Sequence, residues 1–190
     1  GREIIEVATL RGHHENTETD ALGKQNDKGM LVRDNVYGNI DEDAERRDFT
    51  VNALYYDISD FSIKAYGGGL QDLENGILRM IGDPRVRYKE DPVRMLRAIR
   101  FATKLNMTIS EDTRAPIKEM SSLMHAIPAA RLFEEYQKLF LSGKALANYK
   151  MLNEYNLFES LFPLSAEVLE GNEGGKEDKL FQLVCKNTDR

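Results

Sequence analysis

Residues 90–106 of this chain of 190 residues read EDPVRMLRAIRFATKLN, which is the pattern of a long amphipathic helix. Asp91 before Pro92 is a favourable helix start, because a carboxylate can accept free N–H groups of the first turn and proline fits the first helical position. Apolar residues then recur at helical spacing, and Asn106 is a suitable stop. We therefore predict a helix over residues 93–105.

The same periodicity continues towards the end of the chain. It predicts helices over residues 110–123, 128–141 and 144–155, so this half is predicted to be all helical. Residues 167–190 combine an acidic, glycine-containing loop with an apolar run at 180–185.

The chain before residue 84 has a different pattern. Alternating, β-branched residues predict a strand over 2–10, whereas the polar composition of 12–35 predicts a flexible loop. Residues 41–47 are charged and compatible with a helix. Two β-prone runs, 52–58 and 61–66, predict a hairpin, and a helical turn at 71–75 and a strand at 77–81 follow it. We predict an α+β fold in three parts, with boundaries at 1–83, 84–150 and 151–190.

The composition excludes several classes of protein. The longest apolar runs fall far short of the ~20 residues that a membrane-spanning helix needs. The single cysteine, Cys185, excludes an intramolecular disulfide and a cysteine-based zinc site, and it is typical of a reducing cytoplasm. Lys and Arg number 26 against 32 Asp and Glu, so with a net charge of −6 the chain is not a uniformly basic nucleic-acid-binding protein.

The densest cluster of polar side chains is residues 46–52, RRDFTVN. The guanidinium of Arg47 offers a rigid fork of donors that matches phosphate oxygens, while Asp48 and Asn52 can bind sugar hydroxyls or hold a catalytic group. The same residue types also fit a solvated helix end in which Arg47 pairs with Asp43, four positions earlier. Composition alone leaves both interpretations open.

A second cluster lies on the predicted helix at 93–105. Arg94, Arg97 and Arg100 recur every three residues, so they form one slanting basic ridge. Asp91 and Arg94 could together present acceptors and donors to the edge of a nucleotide base. They could equally neutralise each other as an ion pair of the first helical turn.

Glu6 is a carboxylate on the predicted N-terminal strand, between apolar neighbours. In phosphoryl transfer by two divalent ions, carboxylates on adjacent strands hold the metals. The same pattern is typical of an exposed strand face, and one carboxylate does not decide between a metal ligand and a solvated side chain.

Together these segments resemble the class II nucleotidyltransferase family, whose members add nucleotides to RNA 3′ ends and include poly(A)-adding and CCA-adding enzymes. Residues 46–52 (RRDFTVN) resemble the family motif RRDFTxN, and residues 90–94 (EDPVR) resemble its nucleotide-reading EDxxR motif. Residues 68–73 (GGLQDL) resemble its flexible hinge and residues 131–135 (RLFEE) its neck-helix motif. Within the family, residues 6–15, 29–35 and 87–97 look most like the bacterial poly(A)-adding members.

The resemblance implies a fold and a reaction. The fold would be part of a nucleotidyltransferase head, followed by a mostly helical neck and the start of a helical body. In the reaction, an RNA 3′-hydroxyl would attack the α-phosphate of ATP with the help of Mg²⁺, in the cytoplasm. CCA addition to tRNA is the alternative within the family, and a non-catalytic RNA-binding fragment is the alternative outside it.

The resemblance also implies roles for individual residues. Asp48 would be a catalytic carboxylate, and Glu6 a third carboxylate beside a metal-binding pair. The family's GGxVRD element and Asp-x-Asp pair, which bind the triphosphate and Mg²⁺, have no counterpart in this sequence. We therefore expect a fragment that is inactive alone, with most Mg²⁺ ligands in a missing N-terminal part. The residues implied to contact the nucleotide are Arg47, Asn52, Asp91, Arg94, Arg97 and Arg100.

Overall fold

The computed structural model describes residues 5, 7–12, 37–170 and 175–189. Most of these residues are helical, and four short strands accompany them in the described ranges. The helices are α1 (Ile40–Arg46), α2 (Gly69–Glu74), α3 (Pro84–Glu90), α4 (Val93–Leu105), α5 (Glu111–Glu119), α6 (Ala129–Phe140), α7 (Ala145–Glu154), α8 (Leu157–Leu161), α9 (Pro163–Glu170) and α10 (Lys176–Thr188). The strands are β1 (Leu54–Asp57), β2 (Ser62–Ala65), β3 (Ile77–Leu78) and β4 (Thr108–Ile109).

Helix α4 is the central element and begins and ends where the sequence predicts. The carboxylate of Asp91 accepts the Val93 N–H at 3.2 Å, and Asn106 ends the helix with a left-handed backbone, φ 54°. Most of its apolar residues are buried, although Leu105 at its end is exposed, and the helix packs against α3, α6 and α7 and against β3 and β4. Packing on several sides therefore fixes the position of α4, and its side chains reach several other elements.

The other helices match the prediction in part. The helix predicted at 110–123 ends at Glu119 and continues as a 3₁₀ helix, Ser121–Ala126. The prediction missed α3, α8, α9 and α10, the last of which includes the apolar run at 180–185. For α3 the signal was present, because the Asp83 side chain accepts the N–H groups of Arg85 and Val86, and Pro84 occupies the first turn.

The predicted hairpin is confirmed as the antiparallel pair of β1 and β2, in which Leu54 pairs with Ala65 and Asp57 with Ser62. The strand predicted at 77–81 is shorter in the structure, where β3 covers only Ile77 and Leu78. It pairs in parallel with β4, which the prediction missed. Met80 makes an isolated bridge to Phe49. This bridge places the segment after α1 beside the residues that follow β3.

The N-terminal strand predicted at 2–10 is wrong where it can be compared. Ile5 and residues 7–10, which the structure describes, form no strand, and Ile5 and Val7 are exposed. Alternation alone does not make a strand, because a strand also needs a neighbouring strand to pair with. Residues 2–4 and Glu6 lie outside the described residues, as does the predicted loop 12–35 apart from Gly12.

One hydrophobic core runs through the described residues, from Phe49 to Cys185. It crosses residues 83 and 150, so the three-part division of the chain stays a prediction. The longest helices of the described residues, α4 and α10, have 13 residues each, and none reaches the length and apolar character needed to cross a membrane.

Candidate functional site

A polar cleft of about 600 Å³ opens where the end of α1, the start of α4 and one face of α6 meet. It brings together the two sequence clusters at 46–52 and 91–97. The residues that line the cleft are Arg46, Arg47, Asp48, Asn52, Asp91, Val93, Arg94, Arg97, Phe101, Arg131, Glu134, Glu135 and Lys138.

Asp48 lies at the base of this cleft and is 8% exposed. Its Oδ1 accepts the Phe49 N–H at 3.0 Å and the Asn52 amide at 2.8 Å, and its Oδ2 accepts Nε of Arg97 at 2.6 Å. The Arg97 contact joins residues 49 positions apart in sequence. A carboxylate oxygen has two lone pairs, so Oδ2 can accept a further hydroxyl from a ligand.

Arg47 pairs with Asp43, the residue four positions earlier that its place in the sequence allows. Its Nε and Nη2 donate to Oδ2 of Asp43 at 3.0 and 2.7 Å, and the Tyr55 hydroxyl donates to the same oxygen at 2.7 Å. Burial raises the pKa of Asp43, but the hydrogen bonds from Tyr55 and Arg47 outweigh it and hold that pKa below its ordinary value. Because nearly half of the Arg47 side chain is exposed, pairing with Asp43 and a place in the cleft are compatible.

Asp91 and Arg94 each pair with another residue. Oδ2 of Asp91 accepts Nη2 of Arg131 at 2.6 Å, whereas Nη1 of Arg94 donates to Glu90 at 2.8 Å and to the Arg87 carbonyl at 2.8 Å. Both side chains still reach the cleft. They therefore line it as separately held groups.

Arg100, the third member of the predicted ridge, lies behind the lining and against α6. Its Nε is 3.6 Å from Oε2 of Glu135, too long for a hydrogen bond, and both atoms are buried without a hydrogen-bond partner among the described residues. Burial lowers the pKa of Arg100. The Phe101 ring lies 5.1 Å from the Arg97 guanidinium and 4.4 Å from that of Arg100, so it packs against both.

Sequence reasoning missed the contribution of α6 to the cleft. Arg131, Glu135 and Lys138 stand at positions i, i+4 and i+7 of one helix, a spacing that places them on one face. That spacing was a usable signal. The spacing could not indicate which residue Arg131 pairs with, because its ion pair with Asp91 spans 40 positions.

The described residues do not assemble a magnesium site. Within the described ranges, no group of three or more His, Cys, Asp or Glu side chains is arranged to hold a metal ion. Asp48 directs its oxygens to Arg97, Asn52 and a backbone N–H, which are hydrogen-bond donors of the protein rather than a metal ion. Glu6, the other carboxylate predicted from the sequence, lies outside the described residues.

The charge of the cleft is opposite to that of the chain. Six cationic and four anionic side chains line it, in a protein whose net charge is −6. Burial lowers the pKa of Arg46, and the nearby charges of Arg11, Arg47 and Arg94 lower it further. A concave surface with crowded guanidinium groups is suited to binding a polyanion such as a nucleoside triphosphate.

Comparison with known families identifies two matching regions. Residues 1–79 match the family described as the poly A polymerase head domain. Residues 106–169 match the family described as the probable RNA- and SrmB-binding site of polymerase A. The cleft draws its residues from the first region, from α6 in the second, and from Asp91 and α4, which lie between the two.

Poly(A) polymerases and CCA-adding enzymes are both similar to this chain. Poly(A) polymerase I of Salmonella typhimurium is 52% identical over all 190 residues, which cover 41% of that protein. The CCA-adding enzyme of Ligilactobacillus salivarius is 39% identical over 136 residues, 72% of this chain and 31% of that protein. Among solved structures, the apo form II of a CCA-adding enzyme has a TM-score of 0.68 and 27% identity, covering 82% of this chain and 35% of the other.

Proposed function

Because this chain belongs to the nucleotidyltransferase family of poly(A) polymerases and CCA-adding enzymes, we propose that the whole protein transfers AMP from ATP to RNA 3′ ends. The chain spans about two fifths of the length of the poly(A) polymerase I that it matches. The substrates, partners and activity of the whole protein are therefore part of the proposal.

The observation that carries the proposal is the meeting of the two sequence clusters in one positively charged cleft. Asp48 and Asn52 stand beside Arg94 and Arg97 although they come from different elements. In the proposed reaction, the RNA 3′-hydroxyl attacks the α-phosphate of ATP and pyrophosphate leaves. Asp48 is the catalytic carboxylate, and its Oδ2 accepts a hydrogen bond from the attacking hydroxyl. Asn52 holds Asp48 in place and faces the ribose.

The remaining residues of the cleft bind the other parts of ATP. Arg47 and Arg97 supply positive charge and their remaining N–H groups to the phosphates, and Arg100 supports Arg97 through the Phe101 ring. Asp91, held in place by Arg131, and Arg94 present acceptors and donors to the base edge. These groups bind and orient ATP, so much of their effect comes from aligning its α-phosphate with the attacking hydroxyl.

Similarity favours AMP addition over CCA addition. The match to a poly(A) polymerase I extends over the whole chain at 52% identity, whereas the match to a CCA-adding enzyme covers 72% of the chain at 39%. We also infer a cytoplasmic location from the single cysteine, Cys185, which is buried and suits a reducing compartment.

Nucleotide use by the whole protein tests the proposal. The purified protein would be given labelled ATP, or labelled CTP, with magnesium and either of two RNA primers. One primer is a tRNA that lacks its 3′ CCA and the other is an unrelated single-stranded RNA. We expect ATP to be added repeatedly to both primers and CTP to be added to neither. CTP followed by ATP on the tRNA alone would instead indicate CCA addition, and RNA retention without incorporation would indicate a binding protein.

A further inference from the structure

Arg87 lies in α3, between the two sequence clusters of the cleft, and contacts both. Its Nη2 donates to the carbonyl oxygens of Arg46 at 2.9 Å and Arg47 at 2.7 Å. Its Nη1 donates to Glu90 at 3.1 Å. One guanidinium group therefore joins segments about 40 positions apart in sequence.

The first contact caps the end of α1. The last carbonyl groups of a helix have no N–H partner within it and carry partial negative charge, so a guanidinium there satisfies two needs at once. Arg46 is the last residue of α1 and Arg47 the one after it. Asp48 follows directly, so the position of these carbonyls determines where Asp48 enters the cleft.

The second contact connects to α4. Glu90 accepts Nη1 of Arg87 and Nη1 of Arg94, and Arg94 also donates to the backbone carbonyl of Arg87 at 2.8 Å. Arg94 is thus tied to Arg87 both through a shared carboxylate and through the backbone. A continuous series of contacts runs from the end of α1 to the second residue of α4.

The chemistry of this contact set needs arginine. The Arg87 side chain is 15% exposed, and burial together with the nearby charge of Arg94 lowers its pKa. Two of its nitrogens serve partners in different directions, while its Nε is buried without a hydrogen-bond partner among the described residues. The single nitrogen of a lysine cannot reproduce this planar fork.

We propose that Arg87 is a positioning residue, which sets the distance between the Asp48 segment and Arg94 and thereby the fit of the nucleotide in the cleft. Arg87 acts through these residues, outside the lining of the cleft. Its kinetic consequence rests on the proposed function. A shift of the cleft walls weakens ground-state and transition-state binding together, which raises KM more than it lowers kcat.

The test uses the whole protein with Arg87→Lys and, as a matched control on the same helix, Arg85→Lys. Arg85 is exposed and pairs with Glu119 at 2.7 Å, away from the cleft. For Arg87→Lys we expect KM for ATP to rise about tenfold or more while kcat stays within about threefold. Arg85→Lys should retain the wild-type KM.

Amide hydrogen exchange supplies a readout that does not depend on activity. In Arg87→Lys, the amides of Arg47 and Phe49 should exchange about tenfold faster, whereas in Arg85→Lys they should not change. Faster exchange with an unchanged KM would show that Arg87 only stabilises α1, and would overturn the positioning role. An unchanged exchange rate in Arg87→Lys would overturn it as well. Absence of ATP incorporation by the wild-type protein would refute the proposed function, and exchange alone would then decide whether Arg87 holds the Asp48 segment.

Discussion

Replacing Asp48 by asparagine separates the chemical role of this side chain from its structural role. Asparagine has nearly the same shape but no negative charge. The carbonyl oxygen of the new side chain can still accept the Asn52 amide and the Phe49 N–H. What is lost is the charge-assisted hydrogen bond from Arg97, now 2.6 Å long.

The structure indicates the size of the stability loss. A hydrogen bond to a charged group contributes about 1.5–3 kcal/mol when its partner is buried. The Arg97 side chain is 31% exposed, so water can partly replace Asp48 as its acceptor. We therefore expect the free energy of unfolding to fall by about 2 kcal/mol, near the middle of that range.

The assay combines denaturant unfolding with AMP incorporation, and Thr113→Val serves as the control of similar instability. Oγ1 of Thr113 is buried and accepts the Met80 N–H at 2.9 Å and the Ser110 hydroxyl at 2.8 Å, away from the cleft. Leaving that N–H without a partner should also cost about 2 kcal/mol. Both variants should lose similar stability, but only Asp48→Asn should lose more than about 100-fold in kcat/KM.

Two results would refute this reasoning. Full turnover by Asp48→Asn would remove the catalytic role of Asp48, whatever its effect on stability. An equal loss of incorporation in Thr113→Val would show that lowered stability, rather than the missing charge, explains the effect.

Three further predictions concern single side chains other than Asp48 and Thr113. The native pKa of Asp43 is below its ordinary value, so its carboxylate contributes stability above about pH 4 that is lost as the pH falls through the native pKa. In unfolding experiments, Asp43→Asn should therefore be less stable than the wild type at pH 7. Its free energy of unfolding should also fall less between pH 7 and pH 3 than that of the wild type. Burial raises the pKa of the Cys185 thiol, and a disulfide reagent at pH 8 should modify it about tenfold more slowly in the native protein than in urea. Asn106 has a left-handed backbone, φ 54°, which glycine adopts readily and alanine does not. Asn106→Ala should therefore lower the free energy of unfolding by about 1 kcal/mol, whereas Asn106→Gly should not. Thermal unfolding of the two variants would measure the difference.

Local signals predicted most of the helical half. The start of α4 depends on Asp91 and Pro92 and its end on Asn106, all within a few residues of the helix itself. The hairpin was predictable for the same reason, since β1 and β2 are adjacent in sequence. By contrast, β4 was missed because its two residues form a strand only by pairing with β3, about 30 positions earlier.

The α1 and α4 sides of the site were predictable as a set of residues, but the α6 side and the arrangement were not. The sequence indicated Arg47, Asp48, Asn52, Asp91, Arg94 and Arg97, and all of these line the cleft. It could not indicate that Arg100 turns towards Glu135 instead. A spacing of three residues places side chains on a slanting ridge, but the neighbouring helix decides which members of that ridge remain open to the cleft.

The sequence by itself determined the boundaries of α4, the hairpin and the residues that α1 and α4 bring to the cleft, because caps, turns and periodicity depend on neighbours within a few positions. Only the tertiary structure decided the pairs: Asp48 with Arg97, Asp91 with Arg131, and Arg87 with the carbonyls at the end of α1. The physical reason is that a charged side chain can pair with any opposite charge or polar group within its reach. Which one it meets depends on how elements about 40 positions or more apart pack around α4.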